Sequence, residues 1–120
     1  MSATNLTNEI LLEISRVYGR GACVQRINVI AARAVNRDGA TRFVRSARAG
    51  TGDTVGVIAG ADGIGRAVMI EVKSGRDRMS PIQCAFRDAW GRAGGIFIEG
   101  RSVEQVMTEL AEKLGEGSGA

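Results

Sequence analysis

The chain of 120 residues contains no histidine. That excludes Ser–His–Asp triads, imidazole general bases and His-ligated zinc. Catalysis, if there is any, must run on carboxylates, lysine, hydroxyls or a metal held mostly by oxygen. There are only two cysteines, Cys23 and Cys84, with neither metal-ligand spacing nor the framework of a secreted miniprotein, and they read as reduced, buried small residues. No apolar run approaches the roughly 18 residues of a membrane span, and the start, "MSATNLTNEILLEIS", lacks the basic-then-apolar pattern of a signal peptide. A soluble cytoplasmic protein without membrane contact is expected.

Acidic residues are scarce over one long stretch. Between Arg16 and Arg48 lie eight arginines and one acid, Asp38, whereas the chain from Glu99 onward is acidic. Nearly all the positive charge is arginine, which suits forked contacts to phosphate oxygens. On charge alone, a phosphate-binding surface and a solvated arginine-rich face stand level.

The length fits a single domain. Leu6, Ile10, Ile14 and Val17 recur at helical spacing and predict an amphipathic helix over 5–18, stopped by the glycines of "YGRGA". "CVQRINVI" reads as a strand, "NRDGA" as a turn and "TRFVRSA" as its hairpin partner. "TVGVIAG", the glycine turn "GADGIG" and "AVMIEVK" form a second strand–turn–strand unit. Ser80 and Gln83 make a capping box with Pro81 at the first helical position. Ile82, Phe86, Ala89 and Ala93 are expected on that helix's inner face. "IFIEG" is a last strand. A second capping box, Ser102 and Gln105, opens a closing helix with Val103, Val106, Leu110 and Leu114 inward.

The expected order is helix, three or four strands, helix, strand, helix, in its shorter form α-β-β-β-α-β-α, an α/β fold with a mixed sheet flanked by helices. Its strand–helix–strand series at 67–99 implies a parallel crossover. The domain spans 1–114 and the Gly/Ser-rich tail 115–120 reads as flexible.

Glu71 and Lys73, two apart on a strand, point to one face. Asp53, in "GTGDTVG", enters the preceding strand and can reach the same edge if the two strands pair about "GADGIG". Two carboxylates converging beside a lysine make a hard-cation site of Mg²⁺ type. Each residue also has an ordinary reading. Glu71 with Lys73 could be an edge-strand ion pair, Asp53 a turn residue, Gln83 only a cap, and Glu9 a first-turn helix acid.

An acid followed by E-x-K on the next strand resembles the PD-(D/E)xK nuclease superfamily. The longer segments "NEILLEISR", "GTGDTVGV", "IGRAVMIEVKSGRDRMSPIQCAF" and "AGGIFIEGRSVEQVM" look like a stand-alone VRR-NUC domain of phage and bacterial type. The resemblance runs from about Asn8 to Leu110. It implies a restriction-endonuclease-like fold and Mg²⁺- or Mn²⁺-dependent hydrolysis of DNA phosphodiesters. The implied ligands are Asp53, Glu71, the Val72 carbonyl and, from the first helix, Glu9. Lys73 would position water, and Gln83 would face the site. Glu13, one turn after Glu9, is a rival for the helix position. Gly52 stands where the motif has proline, a residue without chemical role.

Stand-alone members of this family resemble homodimers that cut four-way junctions, so a homodimeric Holliday-junction resolvase acting in a bacterial or phage-infected cell is expected. A less selective nickase or flap nuclease, or an inactive DNA-binding protein of the same fold, are the alternatives. Arg26, Arg42, Arg45, Arg48 and Arg76 are the candidate DNA contacts. The apolar and small residues of "INVIAARAV" could supply part of the dimer patch.

Overall fold

In the computed structural model, residues 2–27, 31–45 and 48–115 are described, except for the side chains of 31–33 and 43–45. Helix α1 (Ala3–Tyr18) leads through one 3₁₀ turn (Gly19–Gly21) into β1 (Ala22–Arg26). Then come β2 (Ala31–Val35), β3 (Thr41–Arg45), β4 (Thr54–Ala59), β5 (Gly65–Val72), α2 (Pro81–Arg92), β6 (Ile96–Gly100) and α3 (Val103–Lys113). The chain is mixed α/β, with a mixed sheet flanked by helices, as the class expectation has it.

The main sheet has four strands in the order β1-β4-β5-β6. β1 and β5 run antiparallel to β4, and β5 and β6 are parallel. The hairpin about "GADGIG" and the parallel crossover through α2 are therefore as expected. The first hairpin is not. "CVQRINVI" does not form one strand that turns back through "NRDGA". β1 ends at Arg26 and pairs with β4 instead, from Ala22 opposite Ile58 to Arg26 opposite Thr54. The turn joins β2 to β3, a separate two-stranded sheet. Among the described residues five strands thus precede α2, not three or four. Residues 28–30, the tail beyond 115 and part of "INVIAARAV" lie outside the described residues.

Alternation along β5 builds two layers, because successive side chains face opposite sides. Val68, Ile70 and Val72 join Ile58, Ile96 and Ile98 under α1 and α3, which contribute Leu6, Ile10, Ile14, Val106, Leu110 and Leu114. Val17, expected inside, is exposed because α1 ends on the first glycine just past the sheet. On the other face lies α2. Its capping box is formed as predicted, with the Ser80 hydroxyl accepting from the Gln83 N–H at 3.2 Å and Gln83 Oε1 accepting from the Ser80 N–H at 2.9 Å. Its inner stripe runs through Gln83, Phe86 and Trp90, not Ile82, which is exposed. Phe86 stacks on Trp90 with centroids 5.9 Å apart and meets Phe97 of β6 at 6.4 Å, while the Trp90 indole N–H donates to the Ile96 carbonyl at 2.9 Å. Cys23 is exposed, against the expectation of burial, and Cys84 is partly buried. Cys23 is on an edge strand whose outer face no described helix covers.

Gly56 allows β1 to approach β4. A Cβ there would sit 2.1 Å from the Cys23 carbonyl oxygen and 2.5 Å from the Val24 Cα, both backbone atoms that cannot swing aside. Gly56→Ala is expected to destabilise the protein by about 1–3 kcal/mol, the usual cost of overpacking, measured by urea unfolding.

Candidate functional site

The α2 side of the sheet changes character along β5. Met69 continues the apolar layer of Phe86 and Phe97, but the next residue on that face is Glu71, 5% exposed, followed by Lys73. Lys73 Nζ lies 3.3 Å from Glu71 Oε1. Gln83 Nε2 donates to the same oxygen at 2.9 Å. Gln83 therefore works at both ends: its carbonyl oxygen completes the cap of α2 and its amide holds the carboxylate. A purely helix-capping role does not describe it.

Asp53 is clamped from two sides. Its backbone carbonyl accepts from the Ile27 N–H at 2.8 Å, which extends the β1–β4 ladder. Its Oδ2 accepts from the Val72 N–H at 2.7 Å, which ties it to β5 midway between Glu71 and Lys73. Because β4 is antiparallel to β5, the start of one lies beside the end of the other, and the acids meet there. Asp53, Glu71 and Gln83 line one groove of about 290 Å³ together with Arg26, Ile27, Thr51 and Gly52. Gly52 is buried, its N–H directed to Met69 Sδ at 3.2 Å, and a Cβ on it would come within 2.9 Å of Met69 Cγ and 3.1 Å of the Ile70 carbonyl oxygen. A proline at this position would lose that N–H and crowd the same atoms.

Burial pushes the Glu71 carboxyl above its ordinary value, and the nearby Asp53 charge pushes the same way. The Lys73 ammonium and the Gln83 amide oppose both. Two carboxylates thus share this groove beside one close ammonium, that of Lys73. The donors are all hard oxygens, and Mg²⁺ typically uses one or two carboxylates with water and substrate phosphate completing the shell. The residues present fit such an ion.

Glu9 is not among them. It is exposed and lines a different groove, with Leu6, Ser74, Gly75, Arg101 and Ser102, just beyond the end of β5. Among the described residues no group of three His, Cys, Asp or Glu side chains is placed to hold a metal. α1 packs along the opposite, aliphatic face of the sheet, so its carboxylates reach the strand ends from the far side. Glu13 is taken up in a fork with Arg16, whose Nε lies 3.1 Å from Glu13 Oε2. For Val72, the N–H is engaged by Asp53, and the carbonyl remains the expected ligand atom.

The predicted arginines scatter. Arg26 lines the carboxylate groove. The Arg48 guanidinium lies 5.6 Å above the Phe86 ring, beside α2. Arg42 donates from Nε to Asn36 Oδ1 at 2.8 Å within the β2–β3 hairpin. The Arg45 side chain lies outside the described residues. Arg76 lines a second groove together with Arg78, Arg87 and Arg101. The last three escaped the sequence reading, which followed the dense block from Arg16 to Arg48 instead.

No helix among the described residues is long and apolar enough to cross a membrane. No protein-family model matches the chain, and no curated protein or solved structure matches it.

The Glu71 environment fixes a pH dependence. A carboxyl whose pKa is higher in the folded state binds more protons folded than unfolded between the two values. Its contribution is fully present below the ordinary value of 4.5 and is lost as pH rises through the folded value. In buffer containing a chelator, wild type should lose stability relative to Glu71→Gln as pH rises from 4.5, with the difference levelling off above the folded pKa. Parallel thermal melts across pH check this; parallel pH curves for the two proteins would contradict it.

Proposed function

We propose that the protein is a metal-dependent endonuclease of PD-(D/E)xK type that hydrolyses phosphodiester bonds of branched DNA, as a stand-alone VRR-NUC-like domain. One observation carries the reading: Asp53 and Glu71, from neighbouring strands, line one groove, with Lys73 and Gln83 both on Glu71 Oε1. An edge-strand ion pair would be solvated, whereas this carboxylate is buried and held by two donors.

Each residue then has a task. Asp53, Glu71 and the Val72 carbonyl would hold a divalent cation of Mg²⁺ or Mn²⁺ type, which would supply Lewis-acid polarisation and a lowered pKa for bound water. Gln83 fixes the Glu71 side chain in one orientation. Lys73 is the one cationic donor on the face shared with Glu71, and it orients the attacking water for in-line displacement. Arg26, on the β1 side of the groove, meets the phosphate that enters it. The order of these groups across the strand ends makes the sheet edge the reaction surface.

The test is cleavage of a panel of four-way junction, flap, splayed and linear duplex DNA with Mg²⁺ or Mn²⁺. Asp53→Ala and Glu71→Ala should each abolish cleavage while binding persists, since a negative charge near phosphate is removed. Lys73→Ala should lower the single-turnover rate by about 10²-fold or more. Independently of activity, Mg²⁺ at 100 times its Kd should stabilise wild type by about 2.7 kcal/mol, and Asp53→Asn or Glu71→Gln should lose most of that shift. Substantial cleavage by both alanine variants would sink the assignment. Specific DNA binding without cleavage by wild type would leave a nucleic-acid-binding protein of similar fold.

The finer reading is a homodimeric junction resolvase. Two-fold symmetry in the protein suits a two-fold junction. Val35, at the end of β2, is 72% exposed, while residues 28–30 and the side chains of 31–33 of "INVIAARAV" lie outside the described residues. Sedimentation should give twice the monomer mass, and a four-way junction should receive paired symmetric nicks. A strict monomer on DNA that nicks one strand would leave a nuclease and remove the resolvase.

A further inference from the structure

A groove of about 780 Å³ lies apart from the one that holds the acids. It lies between the β5–α2 loop, α2 and the end of β6, and its walls carry Arg76, Arg78, Arg87 and Arg101 against a single carboxylate, Glu99. Four guanidiniums gathered on one concavity repel one another and focus a positive potential into it. The fold accounts for only part of this gathering. Arg101 is structural: its guanidinium donates to the backbone carbonyls of Gly75 and Asp77 and lies 3.3 Å from Glu99 Oε1, pinning the loop that follows Lys73. Arg87 has an exposed partner in Asp88 at 3.1 Å, a contact of little weight in water. Arg76 and Arg78 are exposed and have neither hydrogen bond nor ion pair among the described residues.

The groove's position relative to the acids gives these cations a use. Glu71 and Glu99 are direct partners in the parallel β5–β6 register. One faces the carboxylate groove and the other lines the arginine groove. The two grooves therefore adjoin across the β5–β6 pair, whose strands lie about 4.8 Å apart. α2 forms a wall of both, through Gln83 in one and through Cys84 and Arg87 in the other. A chain of phosphates crossing the sheet edge meets Arg26 first, then the acids, then the arginines.

We propose that this groove seats the backbone of the cleaved strand, holding the phosphates about one to three nucleotides from the one hydrolysed. The proposal rests on the nuclease reading and adds to it the side on which the strand continues. Arg78 and Arg87 bind phosphate there, Arg76 assists, and Arg101 sets the loop.

The test uses a labelled four-way junction whose cut position has been mapped. In one set, single phosphates near the cut are replaced by uncharged methylphosphonates. The double variant Arg78→Ala/Arg87→Ala should bind the unmodified junction at least about tenfold more weakly. Its slope of log affinity against log salt should be shallower by about one to two, as expected for one or two lost phosphate contacts. The cleavage rate at saturating DNA should stay within a few-fold of wild type. A methylphosphonate at the right position should weaken wild type and leave the double variant unchanged. Single Arg78→Gln, which removes no structural contact, should show the same pattern at half strength if the double variant is unstable to heat. Unchanged affinity and salt slope, or methylphosphonates that weaken both proteins equally, would overturn the groove assignment. Full cleavage by Glu71→Ala would instead overturn the nuclease reading on which it rests.

Discussion

A carboxylate that is 5% exposed gives up most of the water it holds in an open chain. Glu71 recovers its solvation from two donors on one oxygen, the Lys73 ammonium and the Gln83 amide. Much of the surrounding structure follows from supplying those donors. Lys73 can serve because a strand returns to the same face every second residue. Gln83 can serve because the cap of α2 holds its other end on the Ser80 N–H. A glutamate at position 83 would satisfy the cap equally well but set a third negative charge against Glu71. The helix start, the strand end and the buried acid are thus one linked unit, and loosening any of them releases the others.

Asp53 extends that unit across the sheet. Its side chain replaces a strand neighbour in accepting the Val72 N–H, and its backbone is held by Ile27 of the opposite neighbour. The second acid is therefore positioned by the hydrogen-bonding of three adjacent strands, not by a loop of its own. The close approach allowed by Gly52 and Gly56 makes this possible, since each would drive a Cβ into backbone or into Met69. Rigid supports of this sort suit a site where two like charges must stay near each other.

What could be read in the sequence was what local periodicity encodes. The E-x-K pair on one face, the hairpin at "GADGIG" and both capping boxes depend on spacings of two to four residues, and all are present. The end of β1 at Arg26 was not legible. No glycine or proline punctuates "CVQRINVI", so it reads as one strand paired with "TRFVRSA", whereas the true partner of β1 lies some thirty residues later, a long-range choice that no local pattern expresses. The inner face of α2 was legible only in part. Phe86 is buried as expected, but Ile82 is exposed and the polar Gln83 turns inward to donate to Glu71. Glu9 was assigned from a resemblance in linear order, but α1, which carries it near its middle, packs on the other face of the sheet.

The distribution of charge around the strand ends has its own logic. Two carboxylates repel an incoming phosphate, and the Asp53 charge already opposes ionisation of Glu71. A phosphodiester can approach such a centre only if positive charge is supplied in the groove and along its flanks. Lys73 supplies one unit within it, and Arg26 another at its β1 margin. The remaining supply is on the β6 side, where Arg101 anchors the loop that carries Arg76 and Arg78, and Arg87 of α2 lines the same adjoining groove. The dense arginine block from Arg16 to Arg48 is the obvious basic feature of the sequence, but only Arg26 from it lines the groove of the acids. The positive charge nearest the two acids comes mostly from the thin scatter between Lys73 and Arg101, because the parallel register of β5 and β6 brings the two ends of that segment together.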